Sequence, residues 1–321
     1  GQQLKDTMGC SASGAVTPRR VIVAPKLRWN DGTHSRSSTR LEEEEENTGH
    51  SGLSSESWDD QEYAKLWPRR TSVWEHYELG QKVGQGACGY VYRAVRKRDR
   101  KVCAVKSMPT SLVKAYGLQH EAEILGMLDH PNIVKLLEAI VAQNELLIIV
   151  DWAEKGDLKR LIRKAQASDT RFREPQLWEY GKQLSGALEH MHGKRIMHRD
   201  LKPANIFVAQ DGSLKLGDLG LGRIMSSMTL EAYSKVGTPL YMSPEVLHGA
   251  GYDMRSDVWS LGCVMYELVM LRSPFKSDQQ LSLYDLFVRI SQGQYPPLAE
   301  SSSSEFRRLV DQMLQVQPAQ R

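Results

Sequence analysis

The hydrophobic positions of this chain follow two different periods, and the change lies near residue 155. From Tyr77 to Asp151, short runs rich in Val, Ile, Leu and Tyr are bounded by charged or glycine-containing turns, which predicts β-strands. One longer stretch, Leu112–Leu128, spaces its leucines as a helix does. We therefore predict a small sheet-rich lobe over residues 76–150 with one main helix. Its predicted strands are Tyr77–Val83, Tyr90–Arg96, Val102–Met108, Leu136–Val141 and Leu146–Asp151.

Beyond Gly156 the apolar spacing is helical, which predicts a larger α-helical lobe over residues 156–321, after a short hinge at 151–155. A sheet-rich part followed by a helical part predicts the α+β class and a two-lobed architecture. The predicted helices of the large lobe are Asp157–Ala167, Glu174–His192, Ser256–Leu271, Leu281–Gly293 and Ser304–Gln315.

Residues 1–75 show neither period. Serine, threonine and glycine dominate this segment, and five consecutive glutamates occupy positions 42–46. A segment of low hydrophobicity and high charge buries too little apolar surface to offset the entropy lost on ordering. We therefore predict a disordered amino-terminal extension over residues 1–75, ahead of a folded domain over residues 76–321.

Within this extension, residues 8–13 (MGCSAS) fit the pattern for N-myristoylation, and Cys10 is placed for a second acyl chain. Two lipids anchor a protein stably to a membrane, whereas one does not. The pattern acts only if translation starts at Met8. A membrane partner is therefore expected only if Gly9 is acylated.

The overall composition is that of an ordinary globular protein, with 40% hydrophobic and 25% charged residues. The formal net charge of +3 gives no sign of a nucleic-acid partner. No apolar stretch approaches the roughly 20 residues that span a bilayer. No two of the four cysteines form a C-x-x-C pair, so we expect reduced thiols in a cytoplasmic protein. We also expect a monomer. The cysteines are Cys10, Cys88, Cys103 and Cys263.

A glycine-rich stretch at residues 84–91 (GQGACGYV) lies between two predicted strands. The G-x-G-x-x-G pattern alone is weak evidence, and a dinucleotide-binding site would need a helix after the glycines. Between strands, the glycines let backbone N–H groups approach phosphates. Further on, Lys106 lies in an apolar strand and needs a carboxylate partner, for which Glu121 is favoured over Glu123.

The strongest chemical signal is residues 198–205 (HRDLKPAN), followed by Asp218. Asp200 can accept a proton from an attacking hydroxyl, and Lys202 can neutralise charge on a moving phosphate. The amide oxygen of Asn205 and the carboxylate of Asp218 suit Mg²⁺, which prefers oxygen ligands. Phosphoryl transfer needs these parts: positioning, a metal ion and a cation.

In this order the motifs resemble those of a eukaryotic protein kinase, from about Tyr77 to the last residue. Within that family, the chain is similar to the short NIMA-related kinases, on the stretches 187–192, 196–207, 215–223, 237–245 and 294–298. The Asp-Leu-Gly and Ser-Pro-Glu variants of two kinase motifs both fit that group. The ordered motifs are Gly84, Gly86, Gly89, Val91, Lys106, Glu121, His198–Asp200, Asn205, Asp218–Gly220, Ser243–Glu245, Asp257 and Arg321.

The resemblance implies a serine/threonine kinase that uses ATP and Mg²⁺. Asp200 and Lys202 are then the catalytic residues, and Asn205 and Asp218 hold the metal. Val150 is the small side chain that borders the adenine site, with the hinge backbone at Asp151 and Ala153 beside it. The residues implied to bind the nucleotide are Gly84, Gly86, Gly89, Val91, Ala104, Lys106, Glu121, Asp151, Ala153 and Phe207.

The resemblance also implies structural and regulatory residues. Glu245 and Arg321 form a buried ion pair, and Asp257 anchors an apolar column made by Leu125, Leu136, His198 and Leu219. Phosphorylation of Ser234, by an upstream kinase or by the protein itself, activates the enzyme through a pocket formed by Arg199 and Arg223. The family continues past the position of Arg321 into a final helix.

Leu221 favours serine over threonine as the acceptor in protein substrates, again by resemblance. A cell-cycle or microtubule role, with a cytoskeletal, centrosomal or nuclear location, follows from family likeness alone. Three other classes stay open: a nucleotide-binding pseudokinase scaffold, a small-molecule kinase of the same fold and a structural adaptor. The pseudokinase is the main alternative, although no catalytic residue is replaced.

Overall fold

The computed structural model describes residues 76–86, 89–109, 111, 119–142, 145–218, 239–277 and 282–321. All of them belong to one compact unit, Asp59–Arg321. The predicted disordered extension 1–75, with its acylation pattern at Gly9, lies outside the described residues. Among the helices described, none has the length and apolar character needed to cross a membrane.

The small lobe is a five-stranded antiparallel sheet with the strand order β1-β2-β3-β5-β4, and one helix, α1, packs beside β4. The predicted strands and helix are confirmed, with shifts of up to three residues at the ends, and residues 112–118 of the predicted helix lie outside the described part. The elements are β1 (Tyr77–Gly86), β2 (Gly89–Arg96), β3 (Val102–Pro109), α1 (Gln119–Met127), β4 (Leu136–Ala142) and β5 (Glu145–Asp151).

The side chains of β3 alternate between two environments, as the period of a strand requires. Cys103 and Val105 are fully buried in the core of the sheet, against Leu147 and Ile149. Lys106 and its neighbour two residues earlier point to the other face and are half-buried. The alternation therefore places Lys106 on the side of the sheet opposite this core.

The large lobe is helical, as predicted, and is built around α5, whose residues are almost all buried. An Asp or Ser side chain caps most of these helices at the amino end, which satisfies N–H groups that have no partner within the helix. The helices are α2 (Leu158–Ala167), α3 (Glu174–Gly193), α4 (Pro244–Leu247), α5 (Met254–Met270), α6 (Leu283–Ser291) and α7 (Ser304–Met313).

Two short strands of the large lobe were missed by the sequence pattern. β6 (Ile206–Val208) and β7 (Leu214–Leu216) form a two-stranded antiparallel hairpin. Three residues are too few to show a period, which is why the pattern did not reveal them. The hairpin follows the 3₁₀ turn Pro203–Asn205 and ends two residues before Asp218, so it connects the two predicted metal ligands.

Arg321 packs inside the large lobe and joins α4 to α5. Its two terminal nitrogens donate to both carboxylate oxygens of Glu245, at 2.7 and 2.8 Å, and its guanidinium lies 4.9 Å from the ring centre of Trp259. The Arg321 side chain is fully buried, and that of Glu245 is 12% exposed. Burial alone raises the pKa of Glu245, but bonds from Arg321 and Ser256 lower it, so the pair stays ionised at neutral pH.

We predict that Arg321→Ala lowers the free energy of unfolding by about 3–5 kcal/mol, because it leaves a buried carboxylate without its partner. Urea denaturation at neutral pH measures this loss. The exposed ion pair between Lys135 and Asp129 provides the control, since Lys135→Ala should change stability by at most about 1 kcal/mol. Equal effects of the two substitutions would contradict the buried pair.

The stability difference between wild type and Arg321→Ala should also depend on pH. A carboxylate whose pKa is lowered by folding stabilises the protein above its unfolded pKa of about 4.3, and this contribution is lost as the pH falls through the folded pKa. The stability difference between wild type and Arg321→Ala should therefore shrink below about pH 4. Parallel stability curves from pH 7 to pH 3 would argue against a charge-based pair.

Candidate active site

Lys106 lies between two carboxylates at the boundary of the two lobes. Its Nζ donates to both oxygens of Glu121, at 2.8 and 3.0 Å, and to Oδ1 of Asp218 at 2.9 Å. Glu121 shares the inward face of α1 with Leu125, one turn away, and both are buried. Glu123, the alternative partner in the sequence, points to solvent. The geometry therefore selects Glu121.

The charges of this cluster support one another. Burial disfavours the ammonium, but the carboxylates of Glu121 and Asp218 outweigh burial and raise the pKa of Lys106. Burial likewise opposes ionisation of Asp218, but Lys106 lowers its pKa. Burial raises the pKa of Glu121, and the charge of Lys106 works against this shift. At neutral pH, Lys106 is a cation and Asp218 an anion.

The backbone that carries Asp218 is tightly constrained. Asp218 has φ of 58°, in the left-handed region that Asp enters more readily than most residues. At Gly217, a Cβ would lie 2.7 Å from the Phe207 ring and 2.9 Å from Cγ2 of Val134. The residue before Asp218 must therefore lack a side chain, and the Phe207 ring takes that space.

Asp257 holds the loop that contains Asp200. Its carboxylate accepts bonds from the backbone N–H groups of His198 and Arg199, at 2.9 and 3.0 Å. It also accepts from Nε2 of His192 at 2.8 Å and from the hydroxyl of Tyr252 at 2.6 Å. Burial opposes the charge, but these donors lower the pKa of Asp257. Arg199 adopts φ of 66° here, so the two bonds from backbone N–H groups stabilise a strained backbone, and the two side-chain bonds hold the Asp257 carboxylate in place.

Three side chains cluster directly after this anchored backbone. Lys202 Nζ donates to both oxygens of Asp200, at 2.9 and 2.8 Å. Asn205 Nδ2 donates to the backbone carbonyl and to Oδ2 of Asp200, both at 2.8 Å. The backbone carbonyl of Asn205 accepts from the N–H of Gly217 at 3.0 Å, which brings Asp218 beside the cluster.

Two oxygens at this point have no hydrogen-bond donor among the described residues: Oδ1 of Asn205 and Oδ2 of Asp218. An amide oxygen and an anionic carboxylate oxygen fit Mg²⁺, which is usually bound by one or two carboxylates together with substrate phosphates. In the described part, no group of three or more His, Cys, Asp or Glu side chains forms a complete metal cage. The donor set therefore suits a metal that arrives with a phosphate ligand.

The glycine-rich hairpin connects β1 and β2, with Gly84 opposite Val91 and Gly86 opposite Gly89. A Cβ at Gly89 would lie 1.9 Å from the backbone oxygen of Ser107 on β3, and φ there is +153°. A Cβ at Gly84 would meet only Cβ of Val91, at 3.8 Å. The third glycine is therefore required by the neighbouring strand, in addition to any role toward a phosphate.

The other predicted nucleotide-binding residues lie on elements of both lobes. Val91 lies opposite Lys106 in the sheet, and Ala104 lies opposite Val150. Phe207 lies on β6, and Asp151 ends β5, where its carboxylate pairs with Lys101. The bond from Lys106 to Asp218 joins the sheet to the segment that Phe207 contacts at Gly217; a shared nucleotide site remains a prediction.

Several predicted residues lie outside the described part. These are the phosphorylation site Ser234, its partner Arg223, the apolar-column residue Leu219, and Leu221 and Thr238.

Three residues that were not predicted from the sequence belong to the site: Gly217, Tyr252 and His192. Gly217 directly precedes Asp218, and a glycine beside a predicted metal ligand could have indicated its role. Nothing in the sequence indicates that Tyr252 and His192 meet at Asp257.

Comparison with known proteins agrees with this geometry. The family profile described as "Protein kinase domain" matches residues 77–321. The chain belongs to the protein kinase family. The prediction of a two-lobed kinase fold is confirmed.

Among curated relatives, the chain is 34% identical to serine/threonine-protein kinase Nek5 of Homo sapiens over 251 residues, 77% of this chain and 35% of Nek5. It is 35% identical to the probable serine/threonine-protein kinase nek2 of Dictyostelium discoideum, over 77% of this chain and 60% of that protein. Serine/threonine-protein kinase 36 of Mus musculus is 36% identical over 77% of this chain and 18% of that protein.

The predicted likeness to Nek kinases is thus confirmed at the level of the kinase domain. The chain spans from about a fifth to three fifths of the length of these three relatives.

We predict that Gly89→Ala strongly impairs nucleotide binding, whereas Gly84→Ala has a small effect. The new methyl group at 89 collides with backbone atoms of β3 and must displace either the hairpin or the strand that carries Lys106. Titration with a fluorescent ATP analogue measures the affinity, and we expect a loss of tenfold or more for Gly89→Ala, equivalent to about 1.4 kcal/mol or more. Equal affinities of both variants would contradict this account.

Proposed function

We propose that this protein transfers the γ-phosphoryl group of ATP to serine and threonine hydroxyls of protein substrates. The observation that carries the proposal is the double ion pair of Lys106 with Glu121 and Asp218. It joins the helix of the small lobe to the metal-binding segment of the large lobe. A kinase needs the pair of this lysine with the helix glutamate, together with the aspartate that holds Mg²⁺, to bind ATP productively, and the bond from Lys106 to Asp218 keeps these groups beside one another.

The residues of this chain supply positioning and charge. Lys106, held by Glu121, binds the α- and β-phosphates, and the backbone of the glycine-rich hairpin covers them. When bound at Asn205 and Asp218, Mg²⁺ neutralises charge on the phosphate oxygens. Phe207, packed where Gly217 leaves space, forms the floor of the adenine site.

Asp200 orients the acceptor hydroxyl and takes its proton. The hydroxyl oxygen forms a bond to the γ-phosphorus while the bond from phosphorus to the bridging oxygen breaks, and that electron pair leaves with ADP. Lys202, 2.8–2.9 Å from the Asp200 carboxylate, keeps a positive charge beside the transferring group. The backbone of Asp200 is pre-positioned because Asp257 binds the two preceding N–H groups.

The segment that meets the protein substrate is anchored to the core of the large lobe. The hydroxyl of Tyr241 donates to Glu267 at 2.5 Å, and Ser260 donates to the backbone carbonyl of Tyr241 at 2.8 Å. A peptide substrate suits this anchored segment. We expect serine to be preferred over threonine as the acceptor. A cell-cycle or microtubule role, and the cellular location, rest on the likeness to Nek kinases alone.

Asp200→Asn tests the assignment of the base. The variant keeps the shape of the side chain but cannot accept the proton, so we expect turnover on a serine peptide to fall by at least about 100-fold. Nucleotide affinity should stay within about threefold, because Asp200 does not contact the bound phosphates. Radiometric phosphate transfer and ATP-analogue titration measure the two quantities.

Asp129→Asn is the matched control, since this carboxylate is 89% exposed and should affect neither quantity. If wild type bound nucleotide but showed no transfer above the Asp200→Asn rate, the protein would be a nucleotide-binding scaffold.

We further propose that phosphorylation of Ser234 activates the enzyme through Arg199 and Arg223. The proposal is based on the sequence position of Ser234, four residues before Thr238. A phosphate adds about −1.5 to −2 charges and one to three charge-assisted hydrogen bonds. Ser234→Ala should therefore lower the activity of the phosphorylated enzyme several-fold, while Ser227→Ala should not. Phosphopeptide mapping with activity assays checks this, and full activity with Ser234 unmodified would refute it.

A further inference from the structure

The outer face of α2 is uniformly basic. Its inner stripe is buried, and its remaining positions include four exposed Lys and Arg side chains without any acidic residue between Leu158 and Ala167. At about 100° per residue, these four cations lie within an arc of about 140° on the solvent side. The cations are Lys159, Arg160, Arg163 and Lys164. We call this surface the α2 basic face.

None of these four cations forms an ion pair or a side-chain hydrogen bond with another residue in the described part of the chain. The contrast with the turn between β2 and β3 is clear, because basic residues there are neutralised. The pairs in that region are Arg96 with Asp99, Arg100 with Glu78 and Lys101 with Asp151. Apart from the charge of Lys159, which acts on the carboxylate of Glu267, the α2 basic face presents positive charge without an acidic partner at ion-pair distance in the described part of the chain.

This arrangement does not help the helix to form. Lys159 and Arg160 lie in the first turn, where the helix dipole disfavours cations. Two like-charged pairs, Lys159 with Arg163 and Arg160 with Lys164, lie at the i,i+4 spacing, which is also unfavourable. Lys164 alone suits the helix dipole, because it lies in the last turn. Since neither the core nor the amino end of the helix needs the other three charges, the α2 basic face fits a surface that an anionic partner covers.

The position of α2 places that partner beside the catalytic residues. α2 starts directly after the hinge, where Asp157 caps it, and packs against the 3₁₀ turn Pro203–Asn205 and β6. That turn contains Asn205, which is bonded to Asp200. A polypeptide bound on the outer face of α2 is therefore separated from that turn by about one helix diameter, roughly 10–12 Å, so a few extended residues connect it to the acceptor hydroxyl.

We propose that the α2 basic face binds an acidic segment of the protein substrate and thereby selects substrates with Asp- or Glu-rich sequence near the acceptor. This inference rests on the proposed kinase function. The helix is about 15 Å long, which matches about four to five residues of extended peptide. Complementary charges of this kind act mainly on encounter and selectivity and are weakened by salt.

The test uses three peptides with one serine acceptor: one with a run of five Glu before it, one with the run after it, and one with Gln in place of every Glu. We expect wild type to show a kcat/KM at least about fivefold higher for one of the Glu peptides than for the Gln peptide. The gain should appear in KM and should fall as salt is raised from about 50 to about 300 mM.

The variant is Arg163→Gln/Lys164→Gln, which changes the part of the basic face that is furthest from the hinge. The matched control, Lys182→Gln/Lys194→Gln, removes two exposed cations from α3 and the same net charge. The α2 variant should lose most of the preference for the Glu peptide while its activity on the Gln peptide and its thermal stability stay unchanged. The control should keep the preference.

The outcomes separate the two proposals. If wild type phosphorylates none of the peptides, the proposed function fails. If it phosphorylates all three equally, or if the control loses the preference as much as the α2 variant, the kinase proposal stands and this inference is overturned. Binding to phosphatidylserine vesicles that is lost in the α2 variant, without any peptide preference, would show that the face contacts membranes instead.

Discussion

The ion pairs of Lys106 are the interaction on which the geometry of the cleft depends. Its three contacts connect β3, α1 and the segment after β7, and these parts of the chain are separated by up to 112 residues. Each charge is half-buried or more, so removing one partner would leave another without compensation, which is strongly unfavourable. The three charged groups therefore stabilise one another, and separation of Glu121 from Lys106 would break the connection between the lobes.

Asp257 has an equivalent role inside the large lobe. One buried carboxylate accepts four hydrogen bonds and so holds two consecutive backbone N–H groups that a helix or strand would otherwise pair. The positive φ of Arg199 is tolerated because these bonds fix it. The site therefore depends on two charge clusters, one around Lys106 between the lobes and one around Asp257 beneath the loop that carries Asp200.

Charge on the surface is arranged differently from charge in the interior. The buried carboxylates of the site, Glu121 and Asp257, are matched by cations or hydrogen-bond donors, as Glu245 is by Arg321. Cations near the β2–β3 turn are paired with acids as well, whereas those on the outer face of α2 are not. Because unpaired exposed charge contributes little to folding, its placement beside the cleft is better explained by recognition than by stability.

The sequence by itself determined the fold class, the strands and helices longer than about six residues, and the chemical identity of Lys106, Asp200, Asn205 and Asp218. Period and motif order are local properties, so they can be read along the chain. Tertiary structure confirmed the preference for Glu121 over Glu123, and it alone placed Tyr252 and His192 on Asp257 and showed that Gly89 is constrained by Ser107. These choices depend on distances between residues far apart in sequence, which no local pattern records, and β6 and β7 were missed because three residues do not define a period.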